Sequence, residues 1–274
     1  MEAASTARKE TIWRQLRGAV RSGRKTLRSL PKRIRNARQA FALNTGPTVL
    51  TIRQMGPFQV AFRSGSADES VLGDSFDNDV FFSRVPEYVP GPTDTILDVG
   101  AHIGTFSLLA ASKAPQGKVY AIEACEETCH LARLNVGLNQ MTNVDVSHLA
   151  LAGEKGTARL FYNTNGGNWG HTITKDFSRF GEEVATDTLA NFFAEKQIAQ
   201  CEFAKFNCEG AEFSILLNTP PEVLRRIGMM LVLYHCDLAA GYRQQDLIDH
   251  LGTCGFSTQL RNQGRNRGWI VARQ

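Results

Sequence analysis

The sequence predicts an α/β fold: a mostly parallel sheet with helices on both faces, preceded by an N-terminal helical and hairpin extension. Three observations carry this. From residue 95 onward, short apolar runs alternate with helix-patterned stretches at the pitch of βαβ units. Runs such as TILDVG (95–100) and MMLVLYHC (229–236) are nearly continuous in apolar character, as strands covered on both faces are. Between the first run and the first helix stands the turn Asp98-Val99-Gly100-Ala101-His102-Ile103-Gly104, whose glycines let the chain reverse sharply and approach a ligand.

Taken in order, residues 1–45 form a basic arm. Within 8–41, Ile12, Trp13, Leu16 and Val20 recur at helical spacing, and Ser29-Leu30-Pro31 interrupts the run before a second short helix at Ile34 to Phe41. Residues 46–92 form a hairpin and cap. Two strands within 48–63 turn at Met55-Gly56-Pro57, a polar loop crosses Ser64 to Asp68, and a helix spans Ser75 to Tyr88. Pro90-Gly91-Pro92 marks the boundary to the main domain, residues 93–274. There the expected strands are 95–100, 118–123, 143–151, 158–163, 203–209 and 229–236, with two more near 255–260 and 268–273. Helices are expected at 106–113, 126–139, 187–196, 211–217 and 243–252.

Bulk properties narrow the function. Hydrophobic residues at 42% and charged residues at 21% are those of a soluble globular protein. The net charge of +4 conceals an asymmetry: residues 1–40 hold twelve Lys or Arg against Glu2 and Glu10, a local +10 that leaves the remainder at −6. Basicity belongs to the arm, so a nucleic-acid partner for the main domain is disfavoured. For the arm, a solvated tail or a helix packed on the domain, a peripheral contact with anionic membrane, an RNA contact and an oligomer contact all stay open. Six cysteines without a C-x-x-C pair point to free thiols in a reducing compartment, hence a cytoplasmic location. Cys125, Cys129 and His130 lack a second ligand pair, so no metal is expected. No apolar run reaches membrane-spanning length, and no signal sequence is read.

The chemistry concentrates in the Asp98–Gly104 turn. Its spacing is G-x-x-x-G, and His102 stands where a dinucleotide fingerprint needs its second Gly. Asp98 before the turn repels phosphate and favours a cation. S-adenosylmethionine, with an ammonium, a sulfonium and no phosphate, fits that pattern. Glu123, at the tip of the next strand, stands where an acidic residue accepts hydrogen bonds from ribose hydroxyls.

On these residues the sequence resembles the FkbM family of S-adenosylmethionine-dependent methyltransferases. Asp98 to Gly104 is similar to the family's D-V-G-A-N-x-G, with His102 in place of Asn. Val119 to Glu123 matches V-x-A-x-E-P with Ala124 for Pro, and Leu131 to Asn139 matches L-x-x-N-x-x-L-N with one extra residue. The most specific match is Lys205-Phe206-Asn207-Cys208-Glu209-Gly210-Ala211-Glu212 to K-I-D-V-E-G-A-E; Ser66-Ala67-Asp68 and Glu87-Tyr88 fall at its S-x-D and E-Y elements. The resemblance implies a Rossmann-like, seven-stranded methyltransferase sheet, S-adenosylmethionine as cofactor, and methyl transfer to a hydroxyl of a sugar, glycan or natural-product small molecule.

Asp98, Gly100, His102, Gly104, Glu123 and Asn207 are accordingly the expected cofactor-binding residues. His235 at a strand end is the first candidate base, and Glu209 with Glu212 could serve as base and orienting acid. His171 and Asn168, in NTNGGNWGH, are candidates for the acceptor pocket. Asn207 and Tyr234 depart from the acidic residues usual at their positions. Two alternative readings follow: an RNA methyltransferase tethered by the basic arm, and a non-catalytic S-adenosylmethionine-binding protein.

Overall fold

The computed structural model describes residues 49–163, 169–176 and 178–274. The basic arm, with its predicted helices, and Asn168 lie outside the described residues.

The chain opens with an antiparallel hairpin, β1 (Val49–Met55) and β2 (Phe58–Ser64), turning at Gly56-Pro57. Phe58, Val60 and Phe62 of β2 alternate into a core shared with Ile103, Leu108 and Leu131. The helix expected at Ser75 to Tyr88 is displaced and broken. Helix α1 is Asp68–Leu72, followed by a π-type turn (Gly73–Asp77) and a 3-10 turn (Phe82–Arg84). Asp68 and Glu69 supply the acidic first turn that a helix N-terminus favours, and the left-handed Asp79 ends the run.

The main domain then alternates as predicted: β3 (Thr95–Val99), α2 (Thr105–Lys113), β4 (Lys118–Glu123), α3 (Glu126–Leu138) and β5 (Val144–His148). The run at 143–151 divides at Leu149, because β6 (Ala150–Leu151) leaves the main sheet to pair with β8 (Gly181–Asp187), itself antiparallel to β7 (Gly156–Phe161). Strand β8 carries no apolar alternation in its sequence, since Glu182, Thr186 and Asp187 are among its buried residues. Helix α4 (Leu189–Glu195), β9 (Cys201–Phe206), α5 (Ala211–Leu217), the short α6 (Pro221–Leu224), β10 (Ile227–His235), α7 (Gln244–Thr253), β11 (Ser257–Arg261) and β12 (Arg267–Arg273) complete the chain.

Seven strands form the main sheet in the order β11-β12-β10-β9-β3-β4-β5. Strands β10, β9, β3, β4 and β5 run parallel, and β12 lies antiparallel between β10 and β11. Leu97, Val99, Ala204, Phe206 and Val232 face α4, α5 and α7, whereas Ile96, Phe203 and Leu231 face α2 through Phe106 and Ala110. Each such fully buried side chain contributes about 1.5–3 kcal/mol. The chain order reverses at β3, between β4 and β9, so their carboxyl ends open the crevice where a ligand binds. No helix of the described residues is long and apolar enough to cross a membrane.

Asn135 of α3 and Asn139, which caps that helix at its C-terminus, tie the hairpin to this domain. The Asn135 carboxamide accepts from Ala61 N–H at 2.6 Å and donates to the carbonyls of Ala61 (3.0 Å) and Ile103 (2.8 Å). One turn on, Asn139 exchanges the same two bonds with Gln59, at 2.9 and 2.7 Å. Spaced i, i+4 on the helix, they satisfy residues i, i+2 on the outer edge of β2 as a neighbouring strand would.

Candidate active site

The floor of the crevice is an ion pair. Asp98 and Lys205 are direct partners in the β3–β9 register, and their side chains meet at 2.7 Å with Asp98 fully buried. Ser107 of α2 donates to the second Asp98 oxygen at 2.6 Å, and Lys205 also donates to the Gly100 carbonyl at 2.8 Å. Every charge on the floor is thus matched, as burial demands. Above it, Asn207 N–H donates to the Val99 carbonyl at 3.0 Å. The two loops approach so closely that a Cβ on Gly100 would lie 1.9 Å from the Asn207 carbonyl oxygen, which requires glycine there.

At the tip of β4, Glu123 accepts from His102 N–H (2.8 Å) and Cys125 N–H (2.9 Å), one on each carboxylate oxygen. Burial raises its pKa, with the two backbone donors working against that shift. Glu123, Gly100, His102 and Asn207 all line one cleft. The Asn207 Oδ1 atom is buried there without a hydrogen-bond partner.

The opposite wall comes from the turn after β9. Glu209 (φ 51°) and Gly210 (φ 100°) are both left-handed, and a Cβ on Gly210 would meet Thr174 Oγ1 at 2.6 Å. Glu212, fully buried at the start of α5, reaches back to accept from Cys208 N–H and Gly210 N–H, both at 2.8 Å. His235, 1% exposed at the end of β10, bonds Glu212 Oε1 through Nδ1 at 3.0 Å and places Nε2 3.5 Å from Glu209 Oε2. Burial lowers the His235 pKa, but Glu212 and Glu209 outweigh it and the net shift is upward. Burial raises the Glu209 pKa, chiefly offset by His235. Glu209 lines the cleft, at the end of a carboxylate–imidazole–carboxylate chain.

Trp169, His171, Asp74 and Ser75 border the same cleft. His171 Nδ1 accepts from Asn163 N–H at 3.0 Å, and burial holds its pKa down at about 3, so the ring is neutral.

Comparison with known proteins decides what this crevice belongs to. The Methyltransferase FkbM domain matches residues 98–257, more than half of the chain. The chain belongs to the FkbM methyltransferase family. AMB antimetabolite synthetase AmbE of Pseudomonas aeruginosa is 23% identical across 69% of this chain. The chain spans only 11% of that protein. Among solved structures, the fold is similar to methyltransferase FkbM from Methylobacillus flagellatus KT, at 14% identity over 66% of this chain and 44% of that one, with a TM-score of 0.44. It is also similar to a SAM dependent methyltransferase from Aquifex aeolicus, at 19% identity, 70% and 87% coverage and a TM-score of 0.38.

Membership of this methyltransferase family implies S-adenosylmethionine as the methyl donor, and the cleft residues fit it. Glu123 presents a carboxylate suited to ribose hydroxyls, and the unpartnered Asn207 Oδ1 is an acceptor for an ammonium or N–H. Not all the expected residues reach the cleft. Asp98 lies beneath it, its charge matched by Lys205, and Gly104 caps α2 behind it, against Ala132. His235 and Glu212 stand behind Glu209 without lining the cleft. Sequence reasoning assigned no role to Lys205, Ser107, Asp74, Ser75 or Trp169. For Lys205 the signal was a charge flanked by apolar residues within a central strand.

Proposed function

We propose that the protein is an O-methyltransferase acting on a hydroxyl of a sugar, glycan or natural-product small molecule. The observation that carries this reading is the Glu209 carboxylate on the cleft wall, with the Nε2 of a fully buried His235 3.5 Å away and Glu212 anchoring that ring in turn. An alcohol holds its proton at neutral pH, so its oxygen becomes a good nucleophile only if a nearby base takes that proton. S-adenosylmethionine, when bound, would supply an electrophilic methyl group, its methyl–sulfur bond breaking to leave S-adenosylhomocysteine as the oxygen–carbon bond forms. Glu209 accepts the proton of the acceptor hydroxyl as the new oxygen–carbon bond forms. His235 keeps the Glu209 carboxylate turned to the cleft, and Glu212 holds the ring and the left-handed turn together. Trp169 and His171 border the space open to an acceptor, and alignment there supplies much of the rate. Similarity to an antimetabolite synthetase supports a natural-product acceptor.

The test is transfer of labelled methyl from S-adenosylmethionine to paired hydroxyl and amine analogues of glycosides and hydroxylated small molecules, with wild type and Glu209→Gln. Label should enter the hydroxyl compounds alone. The variant should lose roughly 100-fold or more in kcat with donor Kd unchanged. Label on nitrogen, or undiminished turnover by Glu209→Gln, would refute the reading.

A further inference from the structure

Outside the residues expected to bind the donor lies a buried ion pair that the chemistry above does not use. Arg63, at the end of β2 and 3% exposed, grips Asp68 with a two-pronged fork: Nε to Oδ2 at 2.8 Å and Nη2 to Oδ1 at 2.9 Å. Its own backbone N–H adds a third bond to Oδ2 at 2.9 Å, and Nη1 reaches Glu127 and Thr128 of α3, each at 3.3 Å. Asp68 is fully buried. Burying such a pair costs much of what the attraction returns, so its presence calls for a role beyond stability. One contact of Asp68 indicates that role, because Oδ1 lies 3.3 Å from His102 Nε2.

His102 sits in the middle of the donor-binding loop in a left-handed conformation, φ 54°, which disfavours a residue with a side chain. That conformation aims its N–H at Glu123 Oε2, 2.8 Å away. The chain of contacts therefore runs from the hairpin to the donor site: Arg63 fixes Asp68, Asp68 holds the His102 ring, and the His102 backbone turns the Glu123 carboxylate.

We propose that the Arg63–Asp68 pair is a positioning device for S-adenosylmethionine, acting through His102 to hold the loop and Glu123 in their binding geometry. The hairpin is thereby part of the donor site. The groups around His102 are Asp68 from α1, Arg63 from β2, Glu123 from β4 and His171 from the segment before β8. The inference concerns donor binding and is independent of which acceptor is methylated.

The test is calorimetric titration of S-adenosylmethionine, and separately S-adenosylhomocysteine, into the full chain as wild type, Asp68→Asn, His102→Ala, His102→Gln and the Asp68→Asn/His102→Ala double variant. Each of Asp68→Asn and His102→Ala should weaken both ligands by about 10-fold, and the double variant should match His102→Ala within about twofold, since both changes cut one chain. His102→Gln, whose Nε2 reaches as far from the backbone as that of the imidazole and can donate to Asp68, should recover to within about threefold of wild type. An Asp68→Asn penalty that persists undiminished beside His102→Ala would make the pair merely structural and overturn the proposal. If Asp68→Asn fails to fold, the His102 variants decide. Weak binding by His102→Ala with recovery by His102→Gln sustains the proposal. Wild-type binding by His102→Ala, or equal loss in both, overturns it.

Discussion

Glu182 should make the protein's stability depend on pH, and replacing it should remove that dependence. Its carboxyl lies on β8, 5% exposed, and accepts from Glu126 N–H at 2.9 Å where α3 begins. Burial is the main cause that lifts its pKa from 4.5 to about 7, and the bond from Glu126 N–H is outweighed. A carboxyl whose folded pKa is raised favours the folded state fully only below its unfolded value. That contribution drains away as pH climbs through the folded value, because the unfolded chain ionises first. A separation of about 2.5 units at 1.36 kcal/mol each amounts to roughly 3 kcal/mol. Glu182→Gln keeps the carbonyl that accepts Glu126 N–H and cannot ionise. Urea unfolding at about pH 4.5 and about pH 8 should therefore show the variant gaining roughly 3 kcal/mol on wild type across that interval. A difference between the two proteins that stays flat with pH would refute the reasoning, since no ionisation would then be linked to folding at this position.

Three further changes probe the site and its supports. Gly100→Ala forces a Cβ to within 1.9 Å of the Asn207 carbonyl oxygen, so the carboxyl ends of β3 and β9 must separate. S-adenosylmethionine binding by calorimetry should fall by about 100-fold, and melting should drop with it. Lys205→Met strands the buried Asp98 charge and should cost about 3–5 kcal/mol in urea unfolding. Much of that loss should return in Asp98→Leu/Lys205→Met, because two apolar groups replace a pair that was costly to desolvate. Asn135→Leu leaves the N–H and carbonyl of Ala61 and the carbonyl of Ile103 without their partner. Roughly 1–3 kcal/mol per orphaned group should appear as lost stability, with proteolysis focused on the β1–β2 hairpin.

The sheet was legible because parallel strands buried on both faces read as apolar runs, and the alternation of those runs with helices implied their crossovers. The two glycine-bearing turns, Glu123, and the Glu209, Glu212 and His235 group were legible for a related reason: each stands where an apolar run ends, at the carboxyl edge that faces ligand. What escaped depended on partners distant in sequence. Strand β8 hides behind Glu182, Thr186 and Asp187, whose burial is licensed by neighbours such as Glu126 and Lys155 rather than by their own character. Arg63 reads as the end of a strand and Asp68 as part of a polar loop until the fold closes water out around them. Which Glu of the pair faced the cleft, and that His235 stood behind it, rests on a turn of two left-handed residues that no periodicity announces.

One distant pairing nevertheless left a readable mark. Asp98 is the single charge of β3, Lys205 is the one charge in the apolar interior of β9 beyond Glu202 near its start, and the two are opposite in sign. In strands that the topology places side by side, two such exceptions must meet, because leaving either alone in the core costs several kcal/mol. Their meeting also specifies register. A slip of β9 by one residue against β3 turns Lys205 to the face of α4 and α5, presents Phe206 or Ala204 to Asp98, and strands both charges in apolar surroundings. The pair that looks least compatible with an apolar sheet is therefore what fixes the alignment of its two innermost strands. The ends of those strands carry Gly100 and Asn207, so the same pair sets how closely the two loops approach beside the donor.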